Sequence, residues 1–261
     1  MNKFTIHKII DGKSGKIVDW VTEEVPLTII VNGQELATLL CSPVSLRELT
    51  VGFLYSSGLI KDIDEITGIR VDEKYWQATV TIVNGIDFGK KLLDKRLYTS
   101  GCGRGIIFYN SLDKLRKLKL TVRSTVSWKK LLEFMDQFQH SSVEFQKTGG
   151  VHSAALCGKD GIIARQDDIG RHNAVDKIIG EALINKLDFS LAMLLLSGRI
   201  SSEIFYKINK CGIPIVASVS APTDQAVKLA RKLKVTLIGF ARGKRLNVYS
   251  VPERIIMKGK K

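Results

Sequence analysis

The sequence contains no long apolar run and few cysteines, and both absences restrict what the protein can be. No stretch approaches the ~18 to 20 uninterrupted apolar residues of a membrane span, and Met1–Lys16 is too charged for a secretory signal, so we expect a cytoplasmic protein. The four cysteines stand singly, without the C-x-x-C spacing of zinc sites or disulfide frameworks, at Cys41, Cys102, Cys157 and Cys211. We therefore expect reduced thiols and no intrinsic metal.

Acidic residues are also scarce relative to basic ones. The chain has 40 Lys and Arg against 26 Asp and Glu, which gives a net charge of +14 and an isoelectric point near 9.6. This excess predicts an anionic partner, which could be nucleic acid, a phosphorylated small molecule or an acidic protein surface. RNA is the least favoured of these, because the sequence lacks aromatic platforms interleaved with basic residues.

The first half of the chain has the composition and turn signals of a β-rich domain. Apolar runs at 27–31 and 35–40 flank Asn32-Gly33, which is a signal for a two-residue hairpin turn. Residues 77–83 alternate between apolar and polar side chains like another strand. We predict that this smaller α+β domain spans residues 1–122.

Helices are predicted at the middle and the end of this first half. Ser45 and Glu48 have the spacing of a capping box, and an apolar face follows them up to Gly58. Residues 128–138 have apolar side chains at helical spacing. The domain boundary is placed near that second helix.

The second half, predicted as a domain spanning residues 123–261, alternates strands and helices. Two strand-like runs surround Lys159-Asp160-Gly161. The segments that follow are helix 174–187, strand 191–196, helix 202–210, strand 213–219, helix 225–233 and strand 235–240. This order indicates an α/β fold with a largely parallel sheet, and right-handed crossovers bring the loops that leave its strands to one edge.

Two loops at that predicted edge have the residues of an anion site. Ser197-Gly198-Arg199 lies between a buried strand and a helix start, where backbone amides, hydroxyls and a guanidinium can bind an anion. Phe240-Ala241-Arg242-Gly243-Lys244-Arg245 leaves the last parallel strand with three cations around a glycine, which suits phosphate or a guanine plane. Each has a purely structural alternative, an ordinary capped helix for the first and a basic surface turn for the second.

Two further motifs contain histidine. Asp168-Ile169-Gly170-Arg171-His172-Asn173 crowds an acid, a base, an imidazole and an amide at a helix start. In Thr148-Gly149-Gly150-Val151-His152-Ser153, the histidine follows two glycines that let the backbone turn sharply. A single histidine is more often structural than catalytic, but His152 and His172 gain weight as a pair that flanks one pocket.

One cysteine differs from the others because it stands among three glycines, in Thr99-Ser100-Gly101-Cys102-Gly103-Arg104-Gly105. We expect an exposed loop in which Arg104 and nearby hydroxyls favour the thiolate of Cys102, the form that attacks a donor persulfide. The alternative is an inert loop cysteine. The other three cysteines lie within or beside apolar segments and are predicted to be small core residues.

These motifs occur in the order found in the FdhD family of formate dehydrogenase accessory proteins, which the chain resembles over nearly its whole length. The residues that carry the resemblance are Glu23-Glu24-Val25-Pro26-Leu27, Gly101-Cys102-Gly103, 148–152, 168–177 and Ser197-Gly198-Arg199. The resemblance implies that a cysteine desulfurase loads sulfur onto Cys102. The carrier then passes the sulfur to the bis(molybdopterin guanine dinucleotide) cofactor of the formate dehydrogenase catalytic subunit.

The resemblance also implies a fold, an assembly and a binding site. The larger domain is expected to have the three-layer fold of cytidine deaminases, and the protein is expected to be a homodimer. Residues 240–245 match the family's cofactor-binding segment. The residues expected to line the rest of the cofactor pocket are Gly150, His152, Arg171, His172, Ser197, Gly198 and Arg199.

Two departures limit what can be carried over. Many relatives have Cys-Gly-x-Cys in the cysteine loop, whereas Gly105 stands in place of the second cysteine here. This keeps a single-thiol relay possible, but it also favours a chaperone that binds and delivers the cofactor without moving sulfur. Deamination is rejected, because His152-Ser153-Ala154 lacks the glutamate of the deaminase motif and no cysteine pair follows.

Overall fold

The first part of the protein is a β-hairpin followed by a four-stranded sheet that carries one helix. This computed structural model describes residues 1–83, 96–97, 107–108 and 124–257. The elements of this part are β1 (Asn2–Ile10), β2 (Lys13–Val21), β3 (Val25–Val31), β4 (Gln34–Cys41), α1 (Leu46–Ser56), β5 (Ile66–Asp72), β6 (Gln77–Ile82), β7 (Arg96–Leu97) and β8 (Ile107–Phe108). The sheet order is β4-β3-β6-β5, and α1 packs its apolar side chains against this sheet.

The hairpin predicted at Asn32-Gly33 is confirmed. Both residues have a positive φ, 47° and 80°, which is the conformation of tight turns that match the twist of paired strands. Consequently β3 and β4 pair directly, and alternate side chains of β3 are buried in the core. The strand predicted at 77–83 is also confirmed as β6, whereas the turn expected at Asn84-Gly85 lies outside the described residues.

Helix α1 is confirmed, but the capping box predicted at its start is wrong. Ser45 has φ 52° and ψ 42°, and its side chain makes no capping hydrogen bond. A side-chain cap normally requires extended backbone at the residue before the helix. The spacing of Ser45 and Glu48 does not fix that backbone conformation, which is why the prediction failed.

The second part contains a six-stranded sheet with the order β11-β10-β12-β13-β14-β15. Its elements are β9 (Val126–Ser127), α2 (Trp128–His140), α3 (Val143–Thr148), β10 (His152–Cys157), β11 (Ile162–Asp168), α4 (Arg171–Ile184), β12 (Met193–Leu196), α5 (Ser202–Cys211), β13 (Ile215–Ser218), α6 (Asp224–Leu233), β14 (Thr236–Arg242), β15 (Arg245–Ser250) and β16 (Ile255–Ile256). The predicted helices and strands of this half are therefore confirmed, with shifts of a few residues at their ends.

Helices cover both faces of this sheet. Leu194, Leu196 and Val216 point to one face, where they pack against α4, α5 and α6. Leu195 and Ile215 point to the other face, where they pack against α2. The alternation of side chains along a strand thus produces three layers, and the predicted α/β class is confirmed. The specific likeness to cytidine deaminases stays a prediction.

The expectation of a largely parallel sheet is wrong, because fewer than half of the strand pairings in the six-stranded sheet are parallel. Only β12, β13 and β14 run parallel, through the pairings β12–β13 and β13–β14. The pairings β11–β10, β10–β12 and β14–β15 are antiparallel. The reason is that β10–β11 and β14–β15 are connected by short turns, and a parallel pair requires a longer crossover.

The two parts meet where α1 crosses α4. A Cβ atom added to Gly52 would lie 1.8 Å from the carbonyl oxygen of Asp176, and one added to Gly180 would lie 1.9 Å from that of Glu48. Glycine is therefore required at both positions for the two backbones to approach so closely. The boundary predicted after residue 122 falls outside the described residues and stays a prediction.

The longest described helix, α4, has 14 residues. Among the helices in the described ranges, none combines the length and the apolar character needed to cross a bilayer.

Candidate functional site

One edge of the six-stranded sheet collects the loops that the sequence singled out. The parallel strands β12 and β13 end at this edge, and the antiparallel strand β10 begins there. The loops are also bonded to one another: Ser197 N donates to Ser153 O (3.1 Å), and Phe240 N donates to Ser220 O (3.0 Å). The expected convergence of loops at one edge is thus what the structure has, and it brings 197–199 close to His152 and Arg171.

The centre of the edge is a tight contact around Gly198. A Cβ atom at this position would lie 3.1 Å from Arg171 Cβ and 3.3 Å from His152 Nδ1, so glycine allows both side chains to approach the loop. Ser197 Oγ accepts a 2.8 Å hydrogen bond from Ser153 N and lies 3.5 Å from His152 Nδ1. Burial lowers the pKa of His152, and the neighbouring Arg171 lowers it further, so this imidazole is held in its neutral form.

A second histidine lies behind this contact, next to a glutamate that local sequence patterns did not reveal. His172 Nδ1 is 3.4 Å from Glu203 Oε2, across the first turns of α4 and α5. Burial lowers the pKa of His172 to about 3, with Lys207, Arg171 and His152 adding to the shift. Burial also raises the pKa of Glu203 against the opposing effect of Arg171 and Lys207.

Three polar atoms in this cluster are buried and have no hydrogen-bond partner among the described residues: Arg171 Nε, His172 Nε2 and Glu203 Oε2. Such atoms are uncommon in folded proteins, and each carries hydrogen-bonding capacity that a bound molecule or water can satisfy. Glu203 does not stand out in the sequence, because an acidic residue in a first helical turn is typical of any helix.

Some residues of the motif at 168–173 belong to this cluster, and others hold the fold together. Asp168 and Lys177 form a fully buried ion pair, with Lys177 Nζ 2.7 Å from Asp168 Oδ2. Ser42 N donates to Asp168 Oδ2 (3.0 Å), and Asn173 Nδ2 donates to Asp168 Oδ1 (2.9 Å). We call Ser42, Asp168, Asn173 and Lys177 the clamp, because it joins the end of β4 to the start of α4. The acid and the amide of the motif are therefore structural, whereas Arg171 and His172 face the candidate site.

The cationic turn, defined as residues 240–245, lies at the same edge beyond β13. Arg242, Lys244 and Arg245 are exposed, and the guanidinium carbon of Arg245 lies 5.9 Å from the centre of the Phe240 ring. Phe240 has φ 53° and Gly243 has φ 60°, so the strand bends sharply as it enters the turn. The exposed Arg199 adds a further cation after β12.

Two predicted pocket residues are placed differently from the rest. The side chain of Ala241 is buried in the core beneath α2, so only its backbone is available to a ligand. Gly150 is exposed, and a Cβ atom there would lie 2.9 Å from Thr22 Oγ1, which is at the base of the β1–β2 hairpin. The structure therefore groups His152, Arg171, His172, Ser197 and Gly198, but not Gly150, at the centre of the edge.

Cys102 and its loop lie outside the described residues. The other cysteines match the predicted core roles: Cys41 and Cys157 are buried and Cys211 is partly buried. Burial raises the pKa of Cys41 and of Cys157 to about 12 and also raises that of Cys211, so none of these thiols is disposed to ionise at neutral pH. In the described ranges, no three His, Cys, Asp or Glu side chains are grouped as metal ligands.

Comparison with known proteins gives one consistent result. The model of the FdhD/NarQ family matches residues 22–256. A sulfur carrier protein FdhD from Bacillus pumilus is 41% identical over 97% of this chain and 97% of its own length, and one from Bacillus subtilis is 41% identical over 94% of this chain and 93% of its own. A crystal structure from Desulfotalea psychrophila, provisionally assigned as a formate dehydrogenase accessory protein, is 25% identical with a TM-score of 0.78 and covers 98% of this chain and 99% of that one. The chain therefore belongs to the FdhD/NarQ family.

Proposed function

We propose that this protein is a sulfur carrier that serves formate dehydrogenase. It accepts persulfide sulfur on Cys102 from a cysteine desulfurase and transfers that sulfur to the bis(molybdopterin guanine dinucleotide) cofactor, bound as a substrate. Support comes from relatives about 41% identical that are named sulfur carrier proteins, and from the structural neighbour provisionally assigned as a formate dehydrogenase accessory protein.

The observation that carries the proposal is the composition of the sheet edge. Exposed cations at Arg199 and in the cationic turn suit the phosphates of a dinucleotide. The unpartnered Arg171 Nε and Glu203 Oε2 offer a donor and an acceptor, and these suit the polar edge of a base. Phe240, beside Arg245, adds an aromatic face on which a base can stack.

The loading step is a thiol–persulfide exchange. The Cys102 thiolate attacks the outer sulfur of the desulfurase persulfide, a new S–S bond forms, and the donor S–S bond breaks. The donor cysteine leaves as a thiolate and takes up the proton of the former persulfide. No net oxidation or reduction occurs, so this step needs only an ionised and accessible Cys102.

Delivery of the sulfur as sulfide requires two electrons, because the outer sulfur of a persulfide is formally uncharged. A small thiol supplies them by attacking Cys102 Sγ, which releases hydrosulfide to the cofactor and leaves a mixed disulfide. A second thiol then reduces that disulfide and restores Cys102. Since Gly105 stands where many relatives have a second cysteine, the reducing thiol comes from outside the loop.

Intact-protein mass spectrometry tests the loading step directly. After incubation with a cysteine desulfurase and cysteine, the protein should gain the mass of one sulfur atom, and a reductant should remove it. Cys102→Ala should abolish the gain, whereas Cys41→Ala should retain it because that thiol is buried and protonated. The proposal fails if the wild-type protein gains no sulfur, or if the Cys102→Ala protein gains it equally.

A second candidate function is a chaperone that binds the cofactor and delivers it without moving sulfur. Gly105 is the residue that favours it, because a loop with one cysteine lacks an internal resolving thiol. Cells that contain only the Cys102→Ala protein separate the two functions. A chaperone should still support formate dehydrogenase activity in those cells, whereas a sulfur carrier should not.

A further inference from the structure

His152 lies at the centre of the sheet edge, and its two ring nitrogens have different surroundings. Nδ1 lies 3.5 Å from Ser197 Oγ. Among the described residues no group hydrogen-bonds to Nε2, and this atom, unlike Nε2 of His172, is not sealed in the interior. The ring therefore uses one nitrogen to contact the protein and leaves the other available to a ligand.

The ring carries a single N–H because it is uncharged. Burial lowers the pKa of His152, and the positive charge of Arg171 lowers it further against the opposing effect of Asp168. A neutral imidazole has one donor nitrogen and one acceptor nitrogen, and a hydrogen bond at either nitrogen decides which is which. The contact between Nδ1 and Ser197 therefore determines what the free nitrogen can do.

The hydroxyl of Ser197 is held against β10. Its oxygen accepts a 2.8 Å hydrogen bond from Ser153 N, and Ser197 N donates to Ser153 O (3.1 Å). A hydroxyl has one proton to donate, and in the described part of the chain His152 Nδ1 is the acceptor that this proton can reach. If Nδ1 donated instead, the hydroxyl proton would have no acceptor there. The arrangement that satisfies both groups places the ring proton on Nε2.

Ser153 is itself held by charged neighbours on β11. Its hydroxyl donates to Asp167 Oδ1 (2.5 Å) and accepts from Arg165 Nη2 (3.2 Å). The other carboxylate oxygen of Asp167 accepts a 2.8 Å hydrogen bond from Ser142 Oγ. The amide that fixes the Ser197 hydroxyl therefore belongs to a residue whose own side chain is restrained by a network of hydrogen bonds.

The surroundings of His152 suit an oxyanion. Arg171 contacts the neighbouring loop, with its Cβ 3.1 Å from a Cβ built at Gly198, and the exposed Arg199 follows in the same loop. The chain then enters α5 through the capping residue Ser201, and the first amides of a helix attract anions. Since an ionised phosphate oxygen is an acceptor, it is attracted by an N–H at Nε2 and repelled by a bare nitrogen there.

We propose that Ser197 holds His152 as a neutral donor through Nε2–H, and that this donor binds a phosphate oxygen of the guanine dinucleotide cofactor. In this arrangement Ser197 is a positioning residue and His152 is a binding residue. The inference rests on the cofactor site of the proposed function, but not on the transfer of sulfur. It excludes His152 as a general base, because the nitrogen that faces the ligand has no free lone pair.

Nitrogen-15 NMR of the ligand-free protein tests the first half of the proposal, because correlations within the ring distinguish the protonated nitrogen from the bare one. At neutral pH we expect the proton of His152 on Nε2. Ser197→Ala should shift the Nδ1 resonance, because that nitrogen loses its hydrogen bond, and circular dichroism checks that the variant is folded. A wild-type ring protonated on Nδ1, or on both nitrogens, overturns the proposal. An unchanged Nδ1 resonance in Ser197→Ala overturns it as well.

Two substitutions at position 152 test the second half, because they keep an N–H group in different places. The amide nitrogen of glutamine can reach the position of Nε2, whereas that of asparagine reaches only the position of Nδ1. We expect His152→Asn to weaken the binding of inorganic pyrophosphate and of guanosine diphosphate in calorimetry by about tenfold or more. His152→Gln should retain binding within about threefold, and changing the exposed His140 to Asn should leave binding unchanged.

Guanosine distinguishes a phosphate contact from a base contact, because it has the base without a phosphate. It should bind equally to the wild type and to His152→Asn. The proposal is overturned if His152→Asn binds pyrophosphate as tightly as the wild type, or if it loses guanosine and keeps pyrophosphate. A wild-type protein that binds neither pyrophosphate nor guanosine diphosphate overturns it too. A protein that binds both but fails to load sulfur on Cys102 contradicts the proposed sulfur transfer alone.

Discussion

The crossing of α1 and α4 allows a prediction in which helix propensity and packing give opposite signs. Gly52→Ala replaces a poor helix former with the best one, and propensity alone stabilises the protein by about 1 kcal/mol. The new Cβ, however, would lie 1.8 Å from Asp176 O and 2.9 Å from Gly180 N. Both atoms belong to the backbone, so no side-chain rotation relieves the clash.

The magnitude follows from the movement that the clash imposes. The helices must separate by more than about 1 Å, and overpacking of this kind costs about 1 to 3 kcal/mol. The separation also strains the 2.6 Å hydrogen bond that Ser56 Oγ donates to Asp176 Oδ1, and a hydrogen bond to a charged group contributes about 1.5 to 3 kcal/mol. After the gain in propensity, we expect Gly52→Ala to lower the free energy of unfolding by about 2 to 4 kcal/mol.

Urea unfolding measures this change, with Gly68→Ala as the control, because a Cβ at Gly68 would lie 3.8 Å from the nearest atom of Thr81. Gly180→Ala should be as destabilising as Gly52→Ala, since its Cβ would lie 1.9 Å from Glu48 O. One separation of the helices relieves both clashes, so the double variant should cost much less than the sum of the two. Additive costs, or a Gly52→Ala protein as stable as the wild type, would show that the helices do not meet as closely as described.

Three further predictions concern the clamp, the buried histidine and the cationic turn. Lys177→Met leaves Asp168 buried without its partner and should lower the free energy of unfolding by about 3 to 5 kcal/mol in the same urea assay. Because the pKa of His172 in the folded protein is lowered to about 3, below pH 6.5 the unfolded chain binds a proton that the folded protein does not. The free energy of unfolding should therefore fall as the pH drops, by about 2 kcal/mol at pH 5. His172→Gln should remove that part of the pH dependence, whereas changing the exposed His140 to Gln should not. Arg242→Ala should weaken guanosine diphosphate binding in calorimetry by up to about fivefold at low salt and by less at high salt.

Local sequence signals located most elements but not all of their ends. Helix α4 is predicted from residue 174 but begins at Arg171. Its start is hard to locate from the sequence because the residue before it, Gly170, provides no capping side chain. Strand β14 was predicted to end at Phe240 and continues to Arg242 through a residue with positive φ, which apolar periodicity does not reveal. The Asp11-Gly12 turn between β1 and β2, with φ 49° and 77°, also has a recognisable hairpin signal in the sequence.

The site was partly predictable for a different reason. The order of strands and helices places the loops at one sheet edge, and this requires only the handedness of crossovers. Which residues of a crowded motif then face the edge depends on long-range contacts. Asp168 binds Ser42 N, 126 residues away in the sequence, and Glu203 meets His172 only after two helix starts have come together. No local pattern contains that information.

Helix α4 connects these two roles through its own periodicity. Asn173, Asp176, Lys177 and Gly180 follow the i, i+3, i+4, i+7 spacing of one helical stripe, and each of them contacts the first part of the protein. The first turn of the same helix supplies Arg171 and His172 to the sheet edge, where Arg171 Cβ would be 3.1 Å from a Cβ at Gly198. We therefore expect that any movement of α1 that carries α4 with it also alters the contact at Gly198. Helix α4 is the element through which the position of the first part can influence the geometry of the candidate site.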